Sequence, residues 1–299
     1  HFQNILDDAY DADTAMLSET LSGTTDTLTA AAAKTVAGFT AQSFQQKNIA
    51  GDGSTVVDIY YNRNSYTVTY AVTGTVDPNP NYKQADYRFG QNVAAEAAAA
   101  KAGYDFIGWA NEPAVMPAND VTATGYFVAR TDTAYQVQHY KQNLEDDGFT
   151  LAETEELTGK TDTIATANPK TYTGFTFDGT VEGTVASGNI AGDGSLVLKL
   201  YYTRNSYDVT YAYTGTVPTG ASALPEKATV KYGAPVTVAE AATAPGYTFS
   251  GWSRNDFTMP AENVTITGSF TANSNTEYTV RHHFQNILDD AYDADTAML

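Results

Sequence analysis

The sequence predicts an α+β chain built from tandem modules. The last seventeen residues, His283–Leu299, repeat the first seventeen, His1–Leu17. Shorter segments recur as well, since Asn48–Ser54 returns 141 residues later as Asn189–Ser195. Repetition at a fixed period indicates an array of similar domains. Within each period, strand patterns are interrupted by short helix patterns, and this mixture predicts α+β modules.

Strands are predicted wherever aromatic, aliphatic and β-branched residues occupy every second position. Tyr207–Tyr213 alternates in this way, and so do Leu196–Tyr202 and Val264–Phe270. Alternation with a period of two is typical of a strand with one buried face.

Short helices are predicted where alanine-rich or polar runs follow capping residues or precede glycine or proline. Each helix is expected to lie across one face of a sheet. The predicted helices are Asp26–Lys34, Val93–Lys101, Asp162–Ala167 and Val236–Thr243.

Each module has the order strand, strand, helix, strand, strand. This order predicts a β-grasp (ubiquitin-like) fold, in which the first and last strands pair in parallel at the centre of the sheet. The linkers are too short to be flexible tethers, so the modules are expected to follow one another as an elongated, semi-rigid rod. The predicted boundaries are 1–64 (module 1, with a truncated first strand), 65–131 (module 2), 132–205 (module 3), 206–275 (module 4) and 276–299 (the tail, which is the first strand of the next repeat).

Composition excludes several classes of partner. The 299 residues carry a formal net charge of −19 and include no cysteine. A strongly acidic chain lacks the basic surface that nucleic acids and anionic membranes bind, so neither is expected as a partner. No apolar run approaches the roughly 18 residues of a membrane span, so membrane insertion is not expected. The 42% hydrophobic content is sufficient for folded cores.

No enzyme motif is present, and no catalytic residue, metal site or cofactor is predicted. The sequence contains neither a Gly-x-Ser-x-Gly nucleophile nor a phosphate-binding glycine loop. His139 and His282 share a strand face with tyrosine and valine, which favours a place at the edge of the core. Metal ligation there would need further nitrogen or sulfur donors nearby.

Three other motifs have a structural and a functional interpretation. The acidic run Asp7–Asp13 favours a turn, with weak calcium binding as the alternative. Gly51–Gly53 and Gly192–Gly194 are typical of tight turns between strands. Trp109 and Trp252 favour structural anchors, with stacking on a sugar as the alternative.

Two copies of one motif carry a family resemblance. Gly246–Trp252 followed by Met259–Thr265 resembles the internalin B-repeat, also called the Listeria–Bacteroides repeat. Gly103–Trp109 followed by Met116–Thr122 is the second copy of this motif. The resemblance covers modules 2 and 4.

The other module type is similar to the mucin-binding-protein (MucBP) repeat, on the residues Tyr135–Tyr140 and Ala191–Tyr202. Both resemblances imply β-grasp domains that recur in tandem on bacterial surface proteins. They therefore imply an extracellular location on a bacterium, with a Gram-positive source expected.

The leading functional hypothesis is a non-enzymatic stalk or fibre region of a long surface adhesin, which supplies length and multivalency. A first alternative is that the repeats bind host mucin or glycans directly, with Tyr60, Tyr140 and Tyr201 as contact residues. A second alternative is a self-assembling filament that uses residues 277–299. The tail would then complete module 1 of the next copy, whereas the favoured interpretation is that the chain simply continues in both directions.

Overall fold

The computed structural model describes residues 1–10, 17–72, 83–285, 288, 291 and 292. The chain divides into two compact units, and each is described by itself. Unit 1 comprises His1–Tyr135, Glu156–Ala165 and Gly188–Leu196, and unit 2 comprises Gln136–Glu155, Thr166–Ser187 and Val197–Leu299. Over the described ranges, no helix is long and apolar enough to cross a membrane.

The described residues form nineteen short strands. The strands are β1 Phe39–Ala41, β2 Tyr61–Arg63, β3 Ser65–Val72, β4 Lys83–Arg88, β5 Tyr104–Ala110, β6 Val121–Ala129, β7 Thr133–Gln142, β8 Phe149–Gly159, β9 Ile164–Thr166, β10 Phe175–Phe177, β11 Ser187–Asn189, β12 Val197–Arg204, β13 Ser206–Tyr213, β14 Ala228–Lys231, β15 Pro235–Val236, β16 Tyr247–Phe249, β17 Phe257–Thr258, β18 Val264–Gly268 and β19 Phe270–Ala272.

Three larger sheets share one arrangement, with strand orders β4-β3-β6-β5, β10-β12-β7-β8 and β14-β13-β18. In each of them the first and last long strands of a module pair in parallel. Val68 lies opposite Val121 in β3 and β6, and Val209 lies opposite Val264 in β13 and β18. The predicted parallel pair is therefore confirmed in modules 2, 3 and 4. It is central in the two four-stranded sheets, whereas β18 lies at the edge of the three-stranded sheet. The remaining pairs are the small sheets β1-β2, β9-β11, β15-β17 and β16-β19.

The predicted α+β fold class is wrong. The described part of the chain contains no helix and is all-β, with several small sheets in place of the sheet-plus-helix layers of a β-grasp domain. The four predicted helices fall on extended chain, turns, isolated bridges and strand residues. The physical reason is that side chains bind the backbone of these runs. The Glu112 carboxylate accepts from the amide of Glu96 at 2.9 Å, and the Tyr211 hydroxyl accepts from the amide of Ala239 at 2.9 Å.

The cores repeat as the sequence does. In module 2, Val68, Tyr70, Met116 and Ala123 are buried together. In module 4 the buried cluster is Val209, Val236, Met259, Val264 and Ile266. In module 3, Val137, Leu198, Leu200 and Tyr202 are almost completely buried.

Candidate functional site

An aromatic cluster lies on the outer face of the module 3 sheet. Tyr201 pairs with Tyr140 in the parallel register of β12 and β7, and their rings stack with centroids 5.0 Å apart and planes 19° apart. Phe149 meets Tyr201 edge-on at 5.1 Å. The Tyr140 hydroxyl donates to Gln138 Oε1 at 2.7 Å. Since Leu200 and Tyr201 are neighbours in one strand, their side chains lie on opposite faces, and the cluster lies on the face away from the core.

Module 1 carries the same cluster at equivalent positions. Tyr60 stacks on His1 at 4.9 Å and 20°, and Tyr10 meets Tyr60 edge-on at 5.0 Å. Tyr60 keeps 38% of its surface exposed. The structure therefore brings Tyr140 and Tyr201 together and places Tyr60 in the matching cluster. Their role in ligand contact stays a prediction.

Sequence analysis missed three members of these clusters, namely Phe149, His1 and Tyr10. Comparison of the two copies of the repeat could have identified them, because His1 and Tyr10 lie 139 residues before Tyr140 and Phe149, respectively. An aromatic or imidazole ring therefore occupies each position in both copies.

His139 lies in the core of module 3 within a polar network. Its Nδ1 is 2.9 Å from the Tyr202 hydroxyl, and its Nε2 is 2.7 Å from a Glu155 carboxylate oxygen. Lys170 Nζ pairs with the same carboxylate at 3.1 Å. The hydrogen bond from His139 holds the pKa of Glu155 below its usual range, with further help from Lys170.

A structural role for His139 follows, since both ring nitrogens have protein partners. Among the described residues, no group of three or more His, Asp or Glu side chains could hold a metal ion.

The acidic motifs are turns where they are described. In module 3, Asp146 Oδ1 accepts from the Gly148 amide at 2.7 Å, and the Asn143 side chain lowers the pKa of Asp146. In module 1, Asp7 Oδ1 accepts from the Ala9 amide at 2.9 Å. Asp11 and Asp13 of the acidic run lie outside the described residues.

The Gly-Asp-Gly motifs are also turns, as predicted. Asp52 Oδ1 accepts from the Ser54 amide at 3.0 Å, and Asp193 Oδ1 accepts from the Ser195 amide at 3.0 Å. The glycine at the end of the first motif, Gly53, has a φ of 77°, a region that glycine enters without a steric penalty.

Both tryptophans are structural anchors, as predicted. Trp109 packs edge-on against Tyr70 at 5.0 Å, and Trp252 packs against Tyr211 at 4.9 Å. Trp252 Nε1 donates to the carbonyl of Glu240 at 2.9 Å. The indole therefore binds the extended run that the sequence predicted to be helical.

The junction between modules 3 and 4 is built around Arg204, the last residue of β12. Its Nε donates to the Gln142 carbonyl at 2.9 Å, and its Nη1 donates to the Tyr232 carbonyl at 2.9 Å. The guanidinium carbon also lies 4.9 Å from the centroid of the Phe175 ring. One planar cation thus binds carbonyls from both modules.

The connecting residue Asn205 is bonded on both sides. Its amide donates to the Gly174 carbonyl at 2.9 Å, and its carbonyl accepts from the Tyr232 amide at 2.8 Å. Its Oδ1 accepts from the Thr176 hydroxyl at 2.7 Å. The linker is therefore part of the hydrogen-bonded structure.

The junction between modules 1 and 2 repeats this design. Arg63 Nε donates to the Gln3 carbonyl at 2.5 Å, and its Nη1 donates to the Phe89 carbonyl at 2.9 Å. The Asn64 amide donates to the Gly38 carbonyl at 2.9 Å. Short linkers were predicted, but the arginines were not singled out, although Arg63-Asn64 recurs as Arg204-Asn205.

A second junction type links modules 2 and 3. The Thr161 amide donates to the Arg130 carbonyl at 2.9 Å, and its hydroxyl donates to the Gly103 carbonyl at 2.8 Å. The backbones meet so closely that a Cβ on Gly103 would lie 2.3 Å from the Cα of Gly192. Close backbone approach of this kind requires glycine on both sides.

Two segments of the chain match a known family of repeats. Residues 66–132 and 207–277 match the Listeria–Bacteroides repeat domain. The two matches confirm the resemblance predicted for modules 2 and 4. Repeat domains of this kind are typical of bacterial surface proteins.

Several solved structures are similar to this chain. The Bacillus anthracis TIE protein is 8% identical, with 73% of this chain and 52% of that chain covered and a TM-score of 0.34. This chain thus spans about half the length of the TIE structure. Streptococcal High Identity Repeats in Tandem (SHIRT) domains 3-4 from a cell surface protein are 18% identical, covering 46% and 96% of the two chains, with a TM-score of 0.19. Mub-RV is 12% identical, covering 47% and 98%, with a TM-score of 0.14.

Proposed function

We propose that this chain is a non-enzymatic repeat region of a bacterial cell-surface adhesin. It acts as a stalk or fibre outside the cell, supplying length and multivalency. The observation that carries the proposal is the junction design, in which Arg63 and Arg204 bind backbone carbonyls of successive modules. A stalk needs modules that resist bending at their connections, and bonded linkers serve this need better than flexible ones.

The linkers restrict rotation in two ways. Backbone hydrogen bonds fix Asn64 and Asn205 on both sides. The guanidinium group of the junction arginine also restricts the orientation of one module relative to the next, because its planar shape keeps its N–H donors at fixed angles. Each of these two junctions therefore has one preferred geometry.

The test measures the stiffness of the junction between modules 3 and 4 directly. The chain has no cysteine, so spin labels can be attached to the full chain with Thr150→Cys and Glu262→Cys, both at exposed positions. Electron–electron resonance should give a single narrow distance distribution. Arg204→Ala should broaden it, because the bridging donors are lost.

The matched control is Arg254→Ala, which removes an arginine that lies over Phe257 within module 4. It should leave the distribution unchanged. A broad distribution in the chain with native Arg204 would refute a stiff junction and with it the stalk.

The aromatic clusters favour a second candidate function, direct binding of host mucin or glycans. The supporting observation is that Tyr60 and Tyr201 occupy equivalent clusters in modules 1 and 3. Aromatic rings bind sugars through their apolar faces, and weak sites gain avidity by repetition. The net charge of −19 favours neutral over sialylated or sulfated glycans, since like charges repel.

Saturation-transfer difference NMR with a neutral mucin-type oligosaccharide tests this candidate on the full chain. Saturation transfer should fall in a chain carrying Tyr60→Ala and Tyr201→Ala. Tyr126→Ala is the control, because Tyr126 is an exposed tyrosine outside the clusters. Equal signals from all three chains, or no signal at all, would remove glycan binding and leave the stalk untouched.

A further inference from the structure

Module 3 holds two tyrosine side chains in contact across its central strand pair. Tyr140 and Tyr201 are partners in the parallel register of β7 and β12, so their side chains leave the sheet side by side from the same face. The two rings are stacked, with centroids 5.0 Å apart and planes 19° apart. Both side chains are half-buried, so part of each ring remains open to solvent. The pair therefore combines close contact with access to an oxidant.

The nearly parallel planes distinguish this pair from two other tyrosine contacts among the described residues. Tyr10 meets Tyr60 at 78°, and Tyr172 meets Tyr202 at 88°. In both of these pairs, the edge of one ring faces the flat side of the other. Tyrosines couple through the ring carbons next to the hydroxyl-bearing carbon, which lie at the edge of each ring. Nearly parallel planes bring such edge carbons of both rings alongside each other.

Neighbouring side chains hold the two rings in this arrangement. Phe149 meets Tyr201 edge-on at 5.1 Å, and the Tyr140 hydroxyl donates to Gln138 Oε1 at 2.7 Å. Since Phe149 has no hydroxyl group, the phenol beside Tyr201 in this cluster is that of Tyr140. The chain also contains no cysteine, so it has no thiol of its own to reduce a tyrosyl radical. A radical formed on either ring is therefore placed to react with its partner.

We propose that Tyr140 and Tyr201 are a modification site, at which a peroxidase and hydrogen peroxide join the two rings as dityrosine. The peroxidase removes one electron from each phenol, and each phenol releases its hydroxyl proton. The two radicals form a carbon–carbon bond between ring carbons next to the hydroxyl-bearing carbons. The hydrogens on those two carbons then move to the phenolic oxygens, which restores the aromatic rings. Hydrogen peroxide takes up the two electrons and two protons and becomes two molecules of water.

The new bond would join the first and last strands of module 3 directly. It encloses residues 141–200, so tension that enters through β7 can leave at Arg204 without passing through the enclosed residues. A covalent link that closes a long loop also stabilises the folded state by restricting the unfolded chain, as a disulfide does. The site goes beyond the stalk function and does not rest on it, because the bond depends on the geometry of one module and not on the stiffness of the junctions.

Peptide mapping of the full chain, treated with a haem peroxidase and hydrogen peroxide, tests the proposal. Trypsin cuts after four basic residues around the pair, Arg130, Lys141, Lys199 and Arg204. The two tyrosines therefore fall in the peptides 131–141 and 200–204. In the monomeric product, mass spectrometry should find these peptides joined to each other with the loss of two hydrogen atoms.

Variants assign the bond to the two rings. Tyr140→Phe and Tyr201→Phe should each abolish the joined peptides, because phenylalanine keeps the ring but has no phenol to oxidise. Tyr135→Phe is the matched control, since Tyr135 lies in the same peptide, 131–141, and its removal should leave the yield unchanged. Unfolding the chain in denaturant before oxidation should also abolish the product.

Several outcomes would overturn the proposal. They are the absence of the joined peptides from the native chain, their persistence in Tyr140→Phe or Tyr201→Phe, and an equal yield from the unfolded chain. Module 1 gives an internal comparison, because His1 takes the position of Tyr140 beside Tyr60. A bond between His1 and Tyr60 at the same yield would show that contact alone, without two phenols, is sufficient, and would contradict the proposed chemistry.

Single-molecule pulling on the oxidised chain measures what the bond does. The unfolding step of module 3 should be shorter by about 200 Å, because residues 141–200 no longer extend at roughly 3.4 Å each. The Tyr140→Phe chain, oxidised in the same way, should keep the full step. A full step in the purified cross-linked chain would contradict the force path inferred from the parallel pair. Broad distances between the spin labels of modules 3 and 4 would remove the stalk and leave this result unaffected.

Discussion

Gly174 lies against the face of Tyr232, so close that a Cβ on the glycine would stand 2.2 Å from the ring. Gly38 and Phe89 repeat this contact at the preceding junction of the same type, at 2.3 Å. Each glycine has a φ near 77°, at 78° and 76° for Gly38 and Gly174. The two residues therefore fix how closely the following module approaches, since no side chain fits between backbone and ring.

Gly174→Ala should destabilise the junction by about 1–3 kcal/mol, because the new methyl group meets the Tyr232 ring and a positive φ disfavours alanine. Amide hydrogen exchange should show this destabilisation at the junction itself. The amides of Asn205 and Tyr232 bond across this junction at 2.9 and 2.8 Å, and their protection should fall.

Gly53→Ala separates the effect of the positive φ from the effect of the ring contact. Gly53 has a φ of 77° but no atom within 4 Å of a built Cβ, so the substitution should cost only about 1 kcal/mol, from the backbone alone. Equal losses for the two alanine variants would contradict the role assigned to the ring contact.

The carboxylates around His139 should make module 3 sensitive to acid. Hydrogen bonds from Lys170 and His139 lower the pKa of Glu153 and Glu155, respectively. A folded pKa below the unfolded one gives stability that is present above the usual glutamate value of about 4.5 and lost as pH falls through the folded pKa. Lys170→Met should therefore flatten the fall in thermal midpoint of module 3 between about pH 5 and pH 3.

Lys160→Met is the control for this prediction. It removes one lysine charge from the same module, and Lys160 is not in the ion pairs found among the described residues. Its pH profile should parallel that of the native chain. A Lys170→Met profile as steep as the native one would contradict the assignment.

Sequence patterns predicted the strands and turns well for physical reasons. Alternation fixed the two faces of β13, where Val209 is buried and pairs with Val264. The Gly-Asp-Gly turns depend on local chemistry alone, since Asp52 bonds to the amide two residues later. Local interactions and binary patterns are visible in a sequence, so these features could be predicted.

The sequence wrongly predicted helices in these runs because their extended conformation is determined by contacts with residues outside the runs. Alanine favours a helix only weakly, and tertiary contacts override this preference. Trp252 reaches the carbonyl of Glu240, twelve residues before it. The arginine junctions were missed for a related reason, because Arg204 acts on the carbonyl of Tyr232 in another module.

Core packing in module 3 gives a direct stability test. Leu200 is completely buried whereas Leu157 is 38% exposed. Leu200→Ala should cost about 2–5 kcal/mol through lost burial and a new cavity. Leu157→Ala should change the free energy of unfolding by about 0.5 kcal/mol or less.

The probe for this test must report module 3 alone. Both tryptophans of the chain, Trp109 and Trp252, lie in other modules, so fluorescence would follow the wrong domains. Hydrogen exchange at Val137, in the centre of the sheet, follows module 3. Equal losses of protection in the two leucine variants would contradict the core assignment.

The extended run 94–100 of module 2 should depend on Glu112. One carboxylate oxygen of Glu112 accepts from the Tyr70 hydroxyl at 2.7 Å and from the Glu96 amide at 2.9 Å. Glu112→Ala would leave both donors without this acceptor and should cost about 1–3 kcal/mol. Glu112→Gln keeps an acceptor oxygen at the same place and should retain much of the stability. Carbon-13 shifts over 94–100 in the unmodified chain should be non-helical, and helical shifts there would contradict the all-β fold.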